Sequence, residues 1–261
     1  MEYVCIKRNT HSHSFMNGRK VFVDLKTHCL DLNALRLKAI KDVVGLEKLI
    51  SLQRLELQGN KITKINGLET LRSLQELFLS SNKINKIENL ESLTNLERLI
   101  LGDNKLSRIQ GLNSIAKLRE LDLCLNKINE IEGLDTLSVL EKLDLSINRI
   151  TEIKGFENLA NLRVLILNSN QISSVQGLEH LSKLEYLNLN CNPIKSLQGI
   201  TCLVNLRELY LDNSKVTSIV NEIEELPNLK FLSLNNRYGY IPFEELKYLI
   251  EEKGINIYPF K

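Results

Sequence analysis

The residue types that do chemistry are few in this 261-residue chain, and their spacing forms no catalytic motif. His11 and His13 could share a metal ion with His28, but the histidine pair lies in a segment with no apolar pattern to hold it. The five cysteines are odd in number and show no paired spacing, so they form neither a disulfide framework nor a zinc signature. Phosphate-binding glycine loops and nucleophile elbows are absent as well. We therefore predict no enzymatic activity, no metal site and no cofactor.

Asparagine recurs at a constant interval of 22 residues along most of the chain. The positions are Asn60, Asn82, Asn104, Asn126, Asn148, Asn170 and Asn192. A fixed period of this size indicates one structural unit that is copied along the chain and stacked into a single domain. A side-chain amide can satisfy backbone groups of its own repeat and of the adjacent one where the chain turns inward after a strand. We predict that these residues form a structural asparagine ladder rather than a ligand site.

The repeating unit combines a strand pattern with a longer apolar return segment. It reads Leu52-x-x-Leu55-x-Leu57-x-x-Asn60-x-Ile62-x-x-Ile65-x-Gly67-Leu68-x-x-Leu71, and further copies begin at Leu74, Leu96, Leu118, Leu140, Leu162, Leu184 and Leu206. Each Leu-x-Leu has the period of two that a short strand requires. The remaining length is too short for a full helix, so we expect a 3₁₀ turn or an extended segment opposite the strands.

The complete motif resembles the leucine-rich repeat over about residues 50 to 235. Its 22-residue form with Ile-x-Gly-Leu is similar to the subclass typified by a nuclear regulatory subunit of type-1 protein phosphatase. Related arrays occur in a spliceosomal protein, an axonemal dynein light chain and bacterial internalins. The resemblance implies an α/β fold that is mostly β, with short 3₁₀ convex turns. We expect a right-handed leucine-rich-repeat solenoid with a curved parallel sheet on the concave face and a cap at each end. Nine or ten strands would span roughly 40–45 Å.

The two ends of the array depart from the repeat, as caps do. Upstream, residues 30–40 resemble a repeat with Leu35 at the ladder position, and residues 21–25 could supply a capping strand. Downstream, Ser214 replaces the ladder asparagine and Arg237 falls at the last ladder position.

Residues 243–250 have helical spacing, and residues 255–258 could add a final strand. We divide the chain into a segment without apolar pattern that we expect to be mobile (1–18), an N-terminal cap with an irregular first repeat (19–49), the 22-residue repeats (50–236) and a C-terminal cap (237–261).

The outward-facing strand positions form columns that cross the repeats, and these columns do not repeat. Apolar and aromatic residues in them fall into two groups on either side of an acidic centre, and exposed aromatics in groups suggest contacts with a protein partner. We predict a partner-binding face composed of Glu56, Phe78, Ile100, Asp122, Asp144, Val164, Ile166, Tyr186, Tyr210 and Phe231.

A neighbouring column alternates in charge from Arg54 through Glu76, Arg98 and Glu120 to Lys142. Adjacent members can neutralise each other across the repeats, and surface ion pairs of this kind contribute only tenths of a kcal/mol. We interpret these five residues as a self-paired ladder rather than a binding site.

The predicted function is a non-enzymatic scaffold that binds a folded protein on its concave face. The resemblance implies a phosphatase-regulator-like adaptor as one form of this function, since Glu56 and Phe78 look similar to the acidic and aromatic residues that contact the phosphatase in that family. Ile100, Ile166 and the absence of tryptophan depart from its pattern.

An alternative is an RNA-associated module that uses a basic ridge just past the ladder. The ridge comprises Lys61, Lys83, Lys105, Lys127 and Arg149, supported by Lys64, Lys86 and Arg108. A second alternative is a structural spacer in a larger assembly.

The composition and the N-terminal sequence indicate where in the cell the protein is located. The net charge of +2 does not by itself imply nucleic acid or a membrane, and no apolar run is long enough for a transmembrane helix. The N-terminus lacks the apolar stretch of a secretory signal, and no Asn-x-Ser/Thr acceptor occurs. We expect an intracellular monomer, cytoplasmic or nuclear, with no membrane contact.

Overall fold

The computed structural model describes residues 2–6, 19–24, 26–235 and 241–258. Most of its strands belong to one parallel sheet of 11 strands, which lie side by side in the order in which they occur along the chain. The strands are β3 (Cys29–Asp31), β5 (Arg54–Glu56), β6 (Glu76–Phe78), β7 (Arg98–Ile100), β8 (Glu120–Asp122), β9 (Lys142–Asp144), β10 (Val164–Ile166), β11 (Tyr186–Asn188), β12 (Glu208–Tyr210), β13 (Phe231–Ser233) and β14 (Asn256–Tyr258). This is the predicted solenoid with a parallel sheet and little helix. The expected nine or ten strands were too few, because each cap adds one strand to the sheet.

Each strand forms where the Leu-x-Leu pattern predicts it. The middle residue points inward, and Leu99, Leu121 and Leu143 pair in register with no exposed surface. The apolar residues of the return segments, such as Ile109 and Leu112, pack beneath them and are also buried. One repeat alone would expose this apolar face, so stacking of the repeats creates the core.

The convex side is formed by turns and extended segments. Short 3₁₀ helices occur at Ile40–Asp42, Leu46–Lys48 and Ile200–Cys202. Elsewhere single hydrogen bonds between residues three apart, such as Leu96 N to Leu93 O at 2.9 Å, close the turn. The 22-residue period therefore has the short convex element that its length predicts.

The glycine of the Ile-x-Gly-Leu motif lies where the chain passes close to the backbone of the preceding repeat. At Gly111, φ is +71° and a Cβ atom would lie 2.4 Å from the carbonyl oxygen of Ile87. Any larger side chain at Gly111 would clash with that carbonyl. Asn89 occupies the equivalent position one repeat earlier at φ 60°, and its amide donates to Ile65 O at 2.6 Å.

The N-terminal end carries a second, antiparallel sheet. It comprises β1 (Tyr3–Ile6) between β2 (Arg19–Phe22) and β4 (Val43–Val44). The segment 1–18, which we expect to be mobile from its sequence, includes the strand β1, which pairs with both neighbours and contains the fully buried Val4. Residues 7–18, including the histidine pair His11 and His13, lie outside the described residues.

The predicted capping strand near residues 21–25 is the strand β2, which ends at Phe22 and pairs antiparallel with β1. It therefore belongs to the antiparallel sheet and not to the solenoid sheet. The irregular first repeat supplies β3, whose Leu30 pairs with Leu55 of β5.

The C-terminal end adds two helices and a strand. Helix α1 (Val220–Glu224) lies between β12 and β13, where the interval from Leu206 to Leu229 is 23 residues instead of 22. Helix α2 (Phe243–Glu251) and the strand β14 follow where helical spacing and an apolar strand were predicted, and β14 pairs parallel with β13. Arg237, the expected last ladder position, lies outside the described residues. None of the helices in the described segments is long and apolar enough to cross a membrane.

Candidate protein-interaction surface

The asparagine ladder fixes the spacing of the repeats on which the surface lies. Oδ1 of Asn104 accepts a hydrogen bond from Ile84 N at 2.9 Å, and its Nδ2 donates to Leu79 O and Leu101 O, both at 3.0 Å. Each ladder asparagine thus joins its own repeat to the preceding one. Asn60 extends the ladder into the irregular first repeat by bonding to Leu37 N at 3.0 Å. The fully buried Ser214 replaces asparagine in the last complete repeat.

All ten residues of the predicted partner-binding face lie on the concave surface. They are Glu56, Phe78, Ile100, Asp122, Asp144, Val164, Ile166, Tyr186, Tyr210 and Phe231, and all belong to strands β5 to β13. Each is half-buried rather than fully open to solvent, because side chains on neighbouring strands cover one another. The structure brings them together as two groups separated by the acidic centre.

Three rings near the C-terminal end form a continuous aromatic cluster. Tyr210 lies with its ring centroid 5.0 Å from that of Tyr186 and 5.3 Å from that of Phe231, and both pairs are tilted. The hydroxyl of Tyr210 donates to Glu208 Oε2 at 2.9 Å. Burial, this hydrogen bond and the nearby carboxylate raise the pKa of Tyr210, so the phenol stays protonated at neutral pH. We call Tyr186, Tyr210 and Phe231 the C-terminal aromatic cluster.

A smaller apolar cluster lies near the other end. Phe78 and Ile100 are register partners on β6 and β7, and the guanidinium of Arg54 lies 4.6 Å from the centroid of the Phe78 ring. Arg54 also bonds Glu56 at 2.7 Å and Glu76 at 3.0 Å. The ring therefore packs under a charge that is already neutralised. We call Phe78 and Ile100 the N-terminal apolar cluster.

The column of alternating charge between Arg54 and Lys142 is self-paired, as its pattern predicts. Glu76 lies between Arg54 and Arg98, and Glu120 bonds Arg98 at 2.7 Å and Lys142 at 2.9 Å. Burial acts to raise the pKa of Glu120, but the hydrogen bond from Lys142 and the two positive charges lower it overall. These five side chains therefore offer little net charge to a partner.

Sequence reasoning missed a second self-paired row one position earlier in the repeat. Arg119 bonds Glu141, and Glu185 bonds Arg163 at 2.7 Å and Arg207 at 4.0 Å. The same 22-residue alternation of sign was visible in the sequence at these positions. Two adjacent rows of the sheet surface are therefore neutralised within the chain.

The acidic centre is different, because its charges form no ion pair with any residue that the structure describes. Asp122 and Asp144 are register partners on β8 and β9. Their carboxylates accept hydrogen bonds from the backbone N–H groups of Cys124 at 2.9 Å and Ser146 at 2.8 Å. Burial is the main cause that raises the pKa of Asp144, and the charge of Asp122 adds to it, whereas Ser146 and Lys142 act to lower it. We call Asp122 and Asp144 the central acidic pair.

Cys124 completes this centre. Its sulfur and one oxygen from each carboxylate lie within 4.8 Å of one another. The absence of a side chain at Gly102 makes room for them, since a Cβ there would lie 2.7 Å from Cys124 Sγ and 3.2 Å from Asp122 Oδ1. Burial, together with Asp122, Asp144 and Asp103, raises the pKa of the Cys124 thiol to about 12. A thiol must be deprotonated to ligate a metal. Because the raised pKa disfavours the thiolate, it also disfavours Cys124 as a metal ligand.

Comparison with known proteins identifies the repeat. A family model described as Leucine Rich repeats (2 copies) matches residues 50–94, 72–114, 94–138, 138–180 and 160–202, which together span more than half of the chain. The protein belongs to the leucine-rich repeat family. No curated protein sequence matches the chain.

Solved structures of bacterial leucine-rich repeat proteins share the solenoid. The leucine-rich repeat protein LIC12759 of Leptospira interrogans superposes with a TM-score of 0.77 and 29% identity over 87% of this chain. Internalin C2 of Listeria monocytogenes superposes with a TM-score of 0.68 and 29% identity over 77% of this chain and 88% of its own. The match covers 59% of the Leptospira protein. Leucine-rich repeat proteins generally mediate protein–protein interactions and are typically non-enzymatic.

One column of this leucine-rich repeat array contains residues that do not suit its backbone. The residue before each ladder asparagine has a positive φ, which small and polar residues tolerate best. In two adjacent repeats this position holds Leu125 and Ile147, both at φ 53°. Their side chains are 47% and 44% exposed. The repeat fold alone does not account for two exposed aliphatic residues at strained positions, each three residues after a member of the central acidic pair.

The basic ridge past the ladder is solvent-exposed in this leucine-rich repeat protein. Its members are Lys61, Lys64, Lys83, Lys86, Lys105, Arg108, Lys127 and Arg149. Acidic residues of the convex turns lie among them, and Glu88 bonds Lys86 at 3.5 Å. The exposure of these side chains is what solvated lysines at a turn would also show, so the RNA-associated alternative stays a prediction from the sequence.

Proposed function

We propose that this protein is a non-enzymatic scaffold that binds a folded protein partner on its concave face. The observation that carries the proposal is the mutual contact of Tyr186, Tyr210 and Phe231, whose half-buried rings form one continuous aromatic surface on the concave face. Tyrosine and phenylalanine contribute large contact areas at low entropic cost, and grouped aromatics dominate the energy of many protein interfaces. The half-buried rings are already ordered by each other, so binding immobilises few side chains.

The separation of the two clusters also fits a folded partner. The N-terminal apolar cluster lies on β6 and β7, and the C-terminal aromatic cluster lies on β11 to β13. Phe78 and Tyr210 are six strands apart, which corresponds to roughly 29 Å at the usual strand spacing. A domain-sized partner can contact both clusters at once, whereas a short peptide across one strand reaches one of them.

A more specific form of the proposal is a phosphatase-regulator-like adaptor for type-1 protein phosphatase. Its support is the pairing of Glu56 with Phe78 in register and the presence of Asp122 and Tyr210 in the same column. Ile100 and Ile166 interrupt that column, and the chain contains no tryptophan. Calorimetric titration of the purified phosphatase catalytic subunit into this protein tests the more specific form. If no binding is detected, the phosphatase form is wrong and the general scaffold proposal is unaffected.

We also propose that the protein is an intracellular monomer. All five cysteines are free, and an intracellular compartment keeps such thiols reduced. Light scattering on the purified chain tests the monomer, and fractionation of source cells tests the location.

The scaffold proposal is tested by affinity capture with Phe78→Ala and Tyr210→Ala variants. We expect a partner captured by the wild-type protein to be lost or strongly reduced with both variants, because each removes an aromatic contact of a different cluster. Since Tyr210→Ala also removes ring contacts within the chain, its thermal melting is measured in parallel.

A buried variant provides the matched control. Ile115→Val removes one methylene group from the convex side of the core and costs about 1 kcal/mol of stability without altering the concave face. Ile115→Val should still capture the partner, although it loses stability as Tyr210→Ala does. Equal capture by wild type, Phe78→Ala and Tyr210→Ala would contradict the proposal.

A further inference from the structure

The middle of the concave face combines features that the fold does not require. Strands β8 and β9 occupy the fifth and sixth positions of the sheet from the β3 edge. They carry the central acidic pair, and the loops that follow them carry Leu125 and Ile147. All four residues belong to the same two repeats.

The negative charge of this region has no positive partner within the described chain. Asp122 and Asp144 form no ion pair among the described residues, and Asp103 adds a third carboxylate close enough to act on Cys124. Lys142, whose charge does act on Asp144, donates its hydrogen bond to Glu120. Every other charged residue on the same two strands is ion-paired, so the unpaired carboxylates mark a place for a positive charge supplied from outside.

Apolar residues flank the carboxylates within their column and on the loops that follow. In the same column, Ile100 pairs with Asp122 and Ile166 pairs with Asp144, so the acidic pair lies between two isoleucines. Leu125 and Ile147 lie on the loops just past the strands, about half exposed. Apolar surroundings strengthen an ion pair relative to one in water, and aliphatic surfaces pack well against the methylene stem of a long basic side chain.

An arginine fits this arrangement better than a lysine does. The carboxylates lie on adjacent strands with oxygens within 4.8 Å of each other. A guanidinium has five donors in a planar fork and can bond two carboxylates at once, whereas an ammonium is a compact point charge.

We propose that the central acidic pair is the docking position for an arginine of the protein partner, and that an apolar partner residue beside this arginine packs on Leu125 and Ile147. The inference rests on the proposed scaffold function and adds the chemistry of its partner: a protein with an arginine next to an aliphatic residue at the tip of its contact surface. The C-terminal aromatic cluster and the N-terminal apolar cluster then contact the same partner on either side of this arginine.

A defined peptide probe tests the docking position without the partner. The probe is acetyl-Ser-Gly-Leu-Arg-Leu-Gly-Ser-amide, titrated into the full chain with methyl NMR detection of leucine and isoleucine. We expect saturable shifts of the Leu125 and Ile147 methyl groups. Replacing the probe arginine by citrulline, which has the same shape without the charge, should weaken binding by roughly tenfold or more.

Variants of the protein complete the test. Asp122→Asn/Asp144→Asn keeps the side-chain shape and should weaken the arginine peptide about tenfold while leaving the citrulline peptide unchanged. Glu120→Gln is the matched control, because that carboxylate is already paired and should leave the affinity unchanged. Equal binding of the two peptides, or equal binding by wild type and the double variant, would overturn the inference.

Two further outcomes separate the alternatives. Tight stoichiometric binding of Zn²⁺ that protects Cys124 from alkylation and is lost in Cys124→Ser would make the centre a metal site and overturn the docking role. A captured partner that is lost with Tyr210→Ala but retained by Asp122→Asn/Asp144→Asn would refute the arginine position and leave the scaffold function intact. A partner unaffected by either variant would refute the scaffold function itself.

Discussion

Asp122 and Asp144 lie in matched register on adjacent parallel strands, with carboxylate oxygens within 4.8 Å of each other and no ion-pair partner among the described residues. Like charges opposite each other on a sheet destabilise it, and apolar neighbours at Ile100 and Ile166 increase the effect. Immediately beside them, Glu120 lies between Arg98 and Lys142. On the same two strands, the ion pair of Glu120 and Lys142 stabilises the sheet, whereas the like charges of Asp122 and Asp144 destabilise it.

The first prediction concerns the stability cost of the acidic pair. Asp144→Asn should increase the free energy of unfolding by about 0.2–1 kcal/mol near neutral pH, because it removes a charge and retains the oxygen that accepts from Ser146 N. Chemical denaturation of both proteins measures this difference. Glu120→Gln should have the opposite sign, with a loss of about 0.2–1 kcal/mol, since it removes the partner of two cations.

The pH dependence follows from the sign of the pKa shift. The pKa of Asp144 is raised in the folded protein, so the ionised carboxylate destabilises the fold at a pH above its folded-state pKa. As the pH falls through that value, the folded protein takes up the proton first, and the wild type gains stability relative to Asp144→Asn. The advantage of the variant should therefore shrink toward about pH 4. A constant advantage across this range would contradict the assignment of the raised pKa to Asp144.

The second prediction concerns the reactivity of Cys124. With a pKa of about 12, roughly one thiol in 10⁴ is ionised near pH 8, and the thiolate is the reactive form. Iodoacetamide should therefore label the exposed Cys191 well before Cys124, as followed by peptide mass spectrometry.

Removal of the carboxylates should reverse this protection. Burial is the largest cause of the raised pKa of Cys124, and the hydrogen bond and charge of Asp122 and the charge of Asp144 follow. Asp122→Asn/Asp144→Asn should lower that pKa and speed labelling of Cys124 several-fold. The labelling rate of Cys191 is the internal reference, and a parallel rise at both cysteines would indicate general loosening of the fold instead.

The third prediction concerns the strained aliphatic residues. Ile147 has φ 53°, and a β-branched residue in this conformation is strained by about 1–2 kcal/mol. Ile147→Asn should raise the free energy of unfolding by about 1 kcal/mol, because asparagine tolerates this backbone conformation. Ile147→Ala, which keeps a Cβ but cannot bond locally, should give a smaller gain. Denaturation midpoints of the three proteins test the order, and an unchanged Ile147→Asn would show that packing of the isoleucine offsets the strain.

Much of this architecture could be predicted from the sequence, because every repeat places the same residue types in the same local environment. The Leu-x-Leu pattern located the solenoid strands, and the alternating signs from Arg54 to Lys142 predicted the ion-paired row. The strand Tyr3–Ile6 was missed, since its partners in β2 and β4 are distant in sequence and four residues outside the repeat carry no periodic signal.

The candidate surface was predictable as a set of columns but not as contacts. That Tyr210 touches both Tyr186 and Phe231 depends on side-chain rotamers, which no spacing reveals. The convergence of Cys124 with Asp122 over Gly102 likewise depends on how side chains lean across strands. Leu125 and Ile147 could have been noticed, because they stand where other repeats have Gly59, Ser81 or Asp103.

The fourth prediction tests the asparagine ladder as the device that joins the repeats. Asn104→Leu would fill a similar volume but leave Ile84 N without its side-chain acceptor. Leu79 O and Leu101 O would each lose one of two side-chain donors, because Asn82 and Asn126 also donate to them. A buried backbone N–H without a partner costs about 1–3 kcal/mol, so we expect a loss of stability of about this size.

Asn129→Ala on the exposed convex turn of the next repeat is the matched control and should leave stability within about 0.5 kcal/mol of the wild type. Amide hydrogen exchange adds the location: in Asn104→Leu, protection should fall first at Ile84 N and at the neighbouring turn. Because each repeat is stabilised by its neighbours, the unfolding transition should also broaden as cooperativity between the two halves of the array weakens. A sharp transition with unchanged stability would show that leucine packing alone sets the spacing of the repeats.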